Sequence, residues 1–282
     1  MAAPTVRRRQ LGGQLRKLRE ESDFTLAEVE ARTSVKETRL SRIETARLGI
    51  KAGDLDELLD LYRVEDRERR DFLHTLAREG SRRGWWQTYS DVLSTRYMDL
   101  ITLEADAKQI RTVQISLIPG LLQTSAYARG IIEVMRLDET ATTVDALVEV
   151  RIARQNVLTR PQPLSFWAVI HEAALRPRFA SQDTMREQLQ RLIDLSRLPN
   201  VNIQILPAEA APGPWMGGQF NILTFPAPGD DIVLTEDFLS TTYIEDEGTV
   251  TRYGEAFQKI TAEALPLDAS LAFIAKQRDM IL

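Results

Sequence analysis

Cysteine is absent from the 282 residues, and histidine occurs only as His74 and His171. The first absence excludes disulfides, thiolate nucleophiles and thiolate metal sites, and the second leaves little for zinc ligation or general-base chemistry. No metal, cofactor or catalytic residue is therefore expected, and an enzymatic reading starts at a disadvantage. No uncharged apolar run approaches the roughly 18 residues that a membrane helix requires, and no apolar stretch follows the basic N-terminus as it would in a secretory signal. A cytoplasmic protein with no membrane partner is expected. Blocks of like charge and low-complexity segments are also lacking, which argues against a disordered chain.

What is present is an uneven charge. The net charge is −5, but residues 1–51 hold 12 Lys or Arg against 7 acids, a surplus of +5, and the rest carries −10. A basic module that meets phosphates, joined to an acidic domain that does not, has this asymmetry. The length fits two domains of unequal size.

Helical spacing predicts a first helix from Leu11, Leu15 and Leu18, yielding at Ser22 and Asp23. Thr25 followed by Glu28 is a capping box at the start of a second helix, whose inner face holds Leu26 and Val29. The tight turn Thr33, Ser34, Val35 leads into a third helix, Lys36 to Thr45, with Leu40 and Ile43 as its apolar seam. Two short helices around a three-residue turn form a helix-turn-helix pattern. Leu55, Leu58, Leu59 and Tyr62 predict a fourth helix, and Phe72, Leu73 and Leu76 a fifth that ends near Gly80. The expected organisation is an all-α domain over 1–80, a linker at 81–84, and a larger α+β domain over 85–282. In the second domain strands are predicted at 110–115, 164–170, 201–206, 220–225, 232–235 and 242–244. Helices are predicted at 125–135, 143–158, 184–195, 249–264 and from Leu271 onward.

On a helical wheel of about 100° per residue, Glu37, Thr38, Ser41 and Arg42 fall on one side of the third helix, and Leu40 and Ile43 on the other. Any surface helix is polar outside, so this face carries weight only with the motif around it. In a helix-turn-helix, outward residues near the start of the second helix reach base edges. Glu37, Thr38 and Arg42 are the candidate base readers: the arginine fork matches guanine O6 and N7, a carboxylate accepts from cytosine N4, and a threonine touches a thymine methyl. Thr25, Lys36, Arg39, Ser41, Arg47 and Lys51, with the arm Arg7 to Arg9, are read as phosphate and positioning contacts.

The segments LGGQLRKLREES, TLAEVEARTSVKETRLSRIET and DLDELLDLYRV between Leu11 and Tyr62 resemble the xenobiotic-response-element family of helix-turn-helix regulators, which includes phage repressors. The resemblance implies a lambda-repressor-like domain with base contacts at Glu37, Thr38 and Arg42, and a structural ion pair between Arg19 and Glu44. Three positions depart from the pattern. The glutamine that holds a phosphate is Leu26, the glycine of the turn is Ser34, and the serine cap is Lys36.

From Trp85 on, segments such as LEADAKQIRTVQISLIPGLLQTSAYARG, FWAVIHEAALRPRF and LPNVNIQILPAEA resemble the C-terminal domain of actinobacterial, antitoxin-like regulators of that family. This implies a non-enzymatic domain that senses a ligand or a small protein encoded nearby. His171 and Glu172 sit at a strand-to-helix junction, but the second histidine of a zinc-protease helix is missing, so His171 is read as structural. The run Gly213 to Gly218 lacks the lysine and hydroxyl of a phosphate loop and is read as a mobile loop or lid. Asp230 with Asp231, Glu236 with Asp237, and Glu245 to Glu247 are read as solvated acidic loops rather than a cation site. Trp85, Trp86, Trp167 and Trp215 are candidates for a ligand pocket, with core packing the reading for Trp167.

The apolar end Met280, Ile281, Leu282, with Phe257 and Ile260 before it, is expected to contribute to a homodimer on a palindromic operator. The leading reading is thus a nucleoid-associated, sequence-specific transcriptional regulator that binds double-stranded DNA. The alternatives are an antitoxin-like module that holds a small partner and autoregulates, and an enzyme with a helix-turn-helix appendage.

Overall fold

The computed structural model describes residues 6–79, 85–135, 139–176, 179–226, 229–236 and 241–281. It divides into two compact units, Met1–Gln87 with Ser94–Asp99, and Thr88–Leu93 with Leu100–Leu282. The expected linker at 81–84 lies outside the described residues, as do Asp237 and Leu282.

The first unit contains α1 (Val6–Glu21), α2 (Leu26–Arg32), α3 (Glu37–Glu44), α4 (Ala52–Leu61) and α5 (Arg67–Glu79). Their apolar stripes meet in one core in which Leu15, Val29, Val35, Leu40, Leu55 and Leu58 are fully buried. Gly12 sets the approach of α1 to α3, because a Cβ there would stand 2.6 Å from the carbonyl oxygens of Ile43 and Glu44. Three helices end alike. Phe24 N–H donates to Arg19 O, Arg47 N–H to Arg42 O and Val64 N–H to Leu59 O, each around a left-handed residue: Asp23, Ala46 and Arg63 (φ 55–59°). This bond between residues five apart is the Schellman closure, which glycine usually makes. Arg7, Arg8 and Arg9, expected as an arm, instead form the first turns of α1 and are half-buried.

In the second part of the chain, a 3-10 turn at Trp85–Tyr89 and α6 (Thr95–Asp106) precede β1 (Gln109–Gln114). Helices α7 (Ser125–Met135) and α8 (Ala141–Ala153) lead to β2 (Ser165–His171), and α9 (Gln182–Leu195) leads to β3 (Val201–Leu206). The run β4 (Phe220–Thr224), β5 (Ile232–Glu236) and β6 (Thr241–Ile244) is followed by α10 (Glu247–Glu263) and α11 (Leu267–Asp279). The six strands form one sheet in the order β3-β2-β1-β4-β5-β6. Pairing is parallel from β3 to β1, where helices make the crossovers, and antiparallel from β1 to β6. All six expected strands are found, each within one residue of its expected start.

Register decides which side chains share a face. Val113 pairs with Val169 and with Phe220, and Ile222 with Val233; these residues cover the face on which Phe257 and Ile260 of α10 pack. Phe257 is 2% and Ile260 0% exposed, so the sheet uses both and neither is available to a second chain. At the β3 edge, Ile205 N–H donates to Ser270 Oγ and Leu265 N–H to Ile205 O, so the start of α11 covers an edge that would otherwise invite another strand. The helix expected over 143–158 stops at Ala153 and tightens into a 3-10 turn, Arg154–Leu158. A Cβ on Gly120 would collide with the Arg154 guanidinium.

Candidate nucleic-acid interface

Local chemistry fixes the two helices of the motif. Thr25 Oγ1 accepts from Glu28 N–H, and the Glu28 carboxylate accepts from Thr25 N–H at 2.8 Å and from its hydroxyl at 2.7 Å, a complete capping box. Leu26, in place of the phosphate-holding glutamine, is partly buried against the core. Arg32 lies over the Phe24 ring at 4.8 Å.

The turn into α3 departs from the familiar pattern for reasons that can be traced. Among the described residues, positive φ at a non-glycine occurs at Asp23, Ala46 and Arg63, not at Ser34, so the turn requires no glycine there. Glu57 of α4 accepts the Ser34 N–H at 2.7 Å. Lys36 makes no side-chain cap for α3. Glu30 of α2 supplies the acceptor, taking Glu37 N–H at 2.8 Å on one oxygen and Lys36 Nζ at 2.9 Å on the other. These bonds hold the carboxyls of Glu28, Glu30 and Glu57 below the usual carboxylate range, in each case chiefly through the backbone N–H they accept.

Along α3, Leu40 and Ile43 are buried, and Glu37, Thr38 and Arg42 are exposed on the opposite side. Ser41 is half-buried beside them, while Arg47 and Lys51 are exposed beyond the helix end. Arg39 is turned away to a 2.5 Å ion pair with Asp54 at the start of α4, which ties it to the scaffold. Lys36 is exposed but engaged by Glu30, and Thr25 by Glu28. Of these phosphate and positioning candidates, Arg47 and Lys51 are exposed, Ser41 is half-buried, and Thr25, Lys36 and Arg39 already have protein partners.

Arg19 and Glu44 meet as a bidentate pair, Nε to Oε1 at 2.7 Å and Nη2 to Oε2 at 3.0 Å, with side chains 11% and 5% exposed. Arg19 Nη1 also donates to Phe24 O at 2.9 Å. One guanidinium thus joins the end of α1, the turn after it and the end of α3. Burial raises the pKa of the neighbouring Tyr62 hydroxyl, and Glu44 raises it further.

Several chemistry-bearing residues of the second part of the chain have partners within the protein. His171 Nδ1 accepts Ala173 N–H, and its ring stacks on Trp215 at 5.3 Å. Glu172 accepts Ala208 N–H and pairs with Arg176. The glycine-rich run is not an open loop: Pro214–Gly217 is a 3-10 turn whose Trp215 Nε1 donates to Ala211 O. Trp167 donates to Gln204 and packs edge-on against Phe257. Trp85 and Trp86 pair with each other. Of the acidic loops, Asp231 accepts from the Thr224 hydroxyl, and Asp246 caps α10 through Thr249 N–H. Among the described residues, no group of three or more His, Cys, Asp or Glu could hold a metal ion. No described helix is long and apolar enough to cross a membrane.

Sequence reasoning missed Glu30 and Glu57. The available signals were a missing serine at the cap of α3 and a glutamate seven residues before Glu37. Glu104 and Arg154 were missed as well, an ion pair at 3.4 Å whose side chains are 7% and 6% exposed; burial raises the Glu104 pKa and Arg154 opposes that shift.

Two family models match the chain. The one described as a helix-turn-helix domain covers residues 10–73, and the one described as a domain of unknown function, DUF5753, covers residues 97–276, more than half of the chain. No curated protein and no solved structure matches.

Proposed function

Because the chain belongs to the DUF5753 family and carries a helix-turn-helix domain ahead of that region, we propose that it is a sequence-specific DNA-binding transcriptional regulator of the xenobiotic-response-element type. The observation that carries this reading is the division of α3. Glu37, Thr38 and Arg42 are exposed on one side, with buried Leu40 and Ile43 behind them and exposed Arg47 and Lys51 beyond. Such a helix enters the major groove with its outer side chains on base edges while flanking cations hold phosphates.

The regulator binds a palindromic operator as a homodimer, which places two copies of α3 about one helical turn, roughly 34 Å, apart. The DUF5753 region receives the signal, either a small ligand or a small protein encoded nearby, and takes no part in base reading. Its acidic surplus keeps it off the phosphate backbone. The resemblance to actinobacterial antitoxin-like regulators supports the protein form of the signal.

Selection of binding sites from a random DNA pool by the full chain, followed by footprinting, tests the reading. A palindrome with protected half-sites one turn apart is expected; absence of any selected sequence overturns it. Arg47→Ala and Lys51→Ala should weaken all sequences alike, each lowering the slope of log affinity against log salt by about 0.9. An unchanged slope removes both from the phosphate contacts.

A further inference from the structure

We propose that Glu30 is the positioning residue of the base-reading helix, capping α3 from the neighbouring helix so that Glu37 and Thr38 are held at fixed places. The proposal rests on the DNA-binding reading above. It starts from a gap in α3, whose cap position is occupied by Lys36, a side chain that makes no cap bond. A helix begins with N–H groups that lack partners, and uncapped first turns fray. Here Arg39 N–H is taken by the Lys36 carbonyl and Glu37 N–H by Glu30 Oε2 at 2.8 Å.

The second oxygen of Glu30 holds Lys36 Nζ at 2.9 Å. A carboxylate on a surface that meets phosphates would otherwise repel them, and Lys36 supplies its counter-charge. The negative charge also complements the positive end of α3. Glu30 and Lys36 are therefore two halves of one device: the lysine that displaces a serine cap neutralises the glutamate that replaces it.

The device acts at one end of α3 only. Glu37 and Thr38 lie in its first turn, whereas Arg42 lies beside Ile43, whose burial in the core holds that part of the helix independently. Loss of Glu30 should thus blur recognition at the positions read by Glu37 and Thr38 and spare the position read by Arg42. A general loss of stability would lower recognition everywhere.

The experiment uses the full chain, with amide hydrogen exchange at Glu37 as one readout and base preference in a random DNA pool as the other. Glu30→Ala should speed exchange at Glu37 by about tenfold, the scale of a lost cap, and flatten preference only at the positions nearest the start of α3. Adding Lys36→Ser, whose hydroxyl can accept from Thr38 or Arg39 N–H but not from Glu37 N–H, should recover base preference while exchange at Glu37 stays fast. Glu30→Gln retains an acceptor for Glu37 N–H and should exchange like the wild type, which keeps the comparison usable if Glu30→Ala does not fold. Unchanged exchange at Glu37 in Glu30→Ala, fast exchange in Glu30→Gln, or uniform loss of preference without rescue by Lys36→Ser overturns the proposal. If the wild-type chain selects no DNA, the DNA-binding reading fails, and exchange at Glu37 alone decides the cap.

Discussion

Both oxygens of Glu44 are occupied by Arg19, in a place that water barely reaches. Removing one partner of such a pair leaves a charge in a poor solvent, which costs more than the pair contributed. Arg19→Ala should therefore destabilise the first unit by about 3 kcal/mol, read as a lower urea midpoint, even though Arg19 is not among the candidate base readers. A change within experimental error would show that Glu44 finds solvent once the arginine is gone. Arg63 gives the opposite expectation. It is exposed and held at φ 55° to close α4, a conformation that costs a non-glycine residue about 1 kcal/mol or more. Arg63→Gly should raise stability by about 1 kcal/mol in the same urea experiment. Of the residue-level chemistry, the capping box at Thr25 and Glu28 was legible because both partners lie within one turn of sequence. Glu30 was not, because its bond crosses a turn whose path the sequence does not display.

Each segment of the motif after α1 is held by a glutamate. Glu28 serves α2, Glu30 serves α3, and Glu57 serves the turn between them. All three carboxyls have folded-state pKa values below those of the unfolded chain. Their contribution is therefore complete above the unfolded value of about 4.3 and is lost as pH falls through the folded values. The first unit should lose thermal stability on acidification below about pH 4, and the triple substitution of Glu28, Glu30 and Glu57 by Gln should flatten that dependence. A wild-type and a triple-variant profile of the same shape would show that these bonds do not contribute. At this scale the strands of the sheet were readable from β-branched runs between turn residues, and most of the helices from their period. Helix α6 was not, because Asp99 and Glu104 on it are buried, 6% and 5% exposed; a pattern that assigns acids to solvent cannot place such a segment. The 3-10 turn at Pro214–Gly217, in a run read as a mobile loop or lid, was hidden for a similar reason. Trp215 of that turn stacks on His171, a contact between residues 44 positions apart.

For the molecule as a whole, the surplus of +5 over residues 1–51 against −10 in the rest places the basic excess around α3, where it favours phosphate. The helix-turn-helix was legible because a few spacings and a buried seam define it. The apolar C-terminal segment was legible only as apolar. Phe257 and Ile260, expected to serve a dimer, are committed to the sheet.

The central claim is that the exposed side of α3 reads base pairs, and comparison of the full chain with Arg42→Ala in selection from one random DNA pool tests it most directly. Loss of preference at a single base position in each half-site, with discrimination there reduced by about 1 to 3 kcal/mol and the other positions retained, is the predicted result. An unchanged profile for Arg42→Ala would contradict the assignment of that face to DNA.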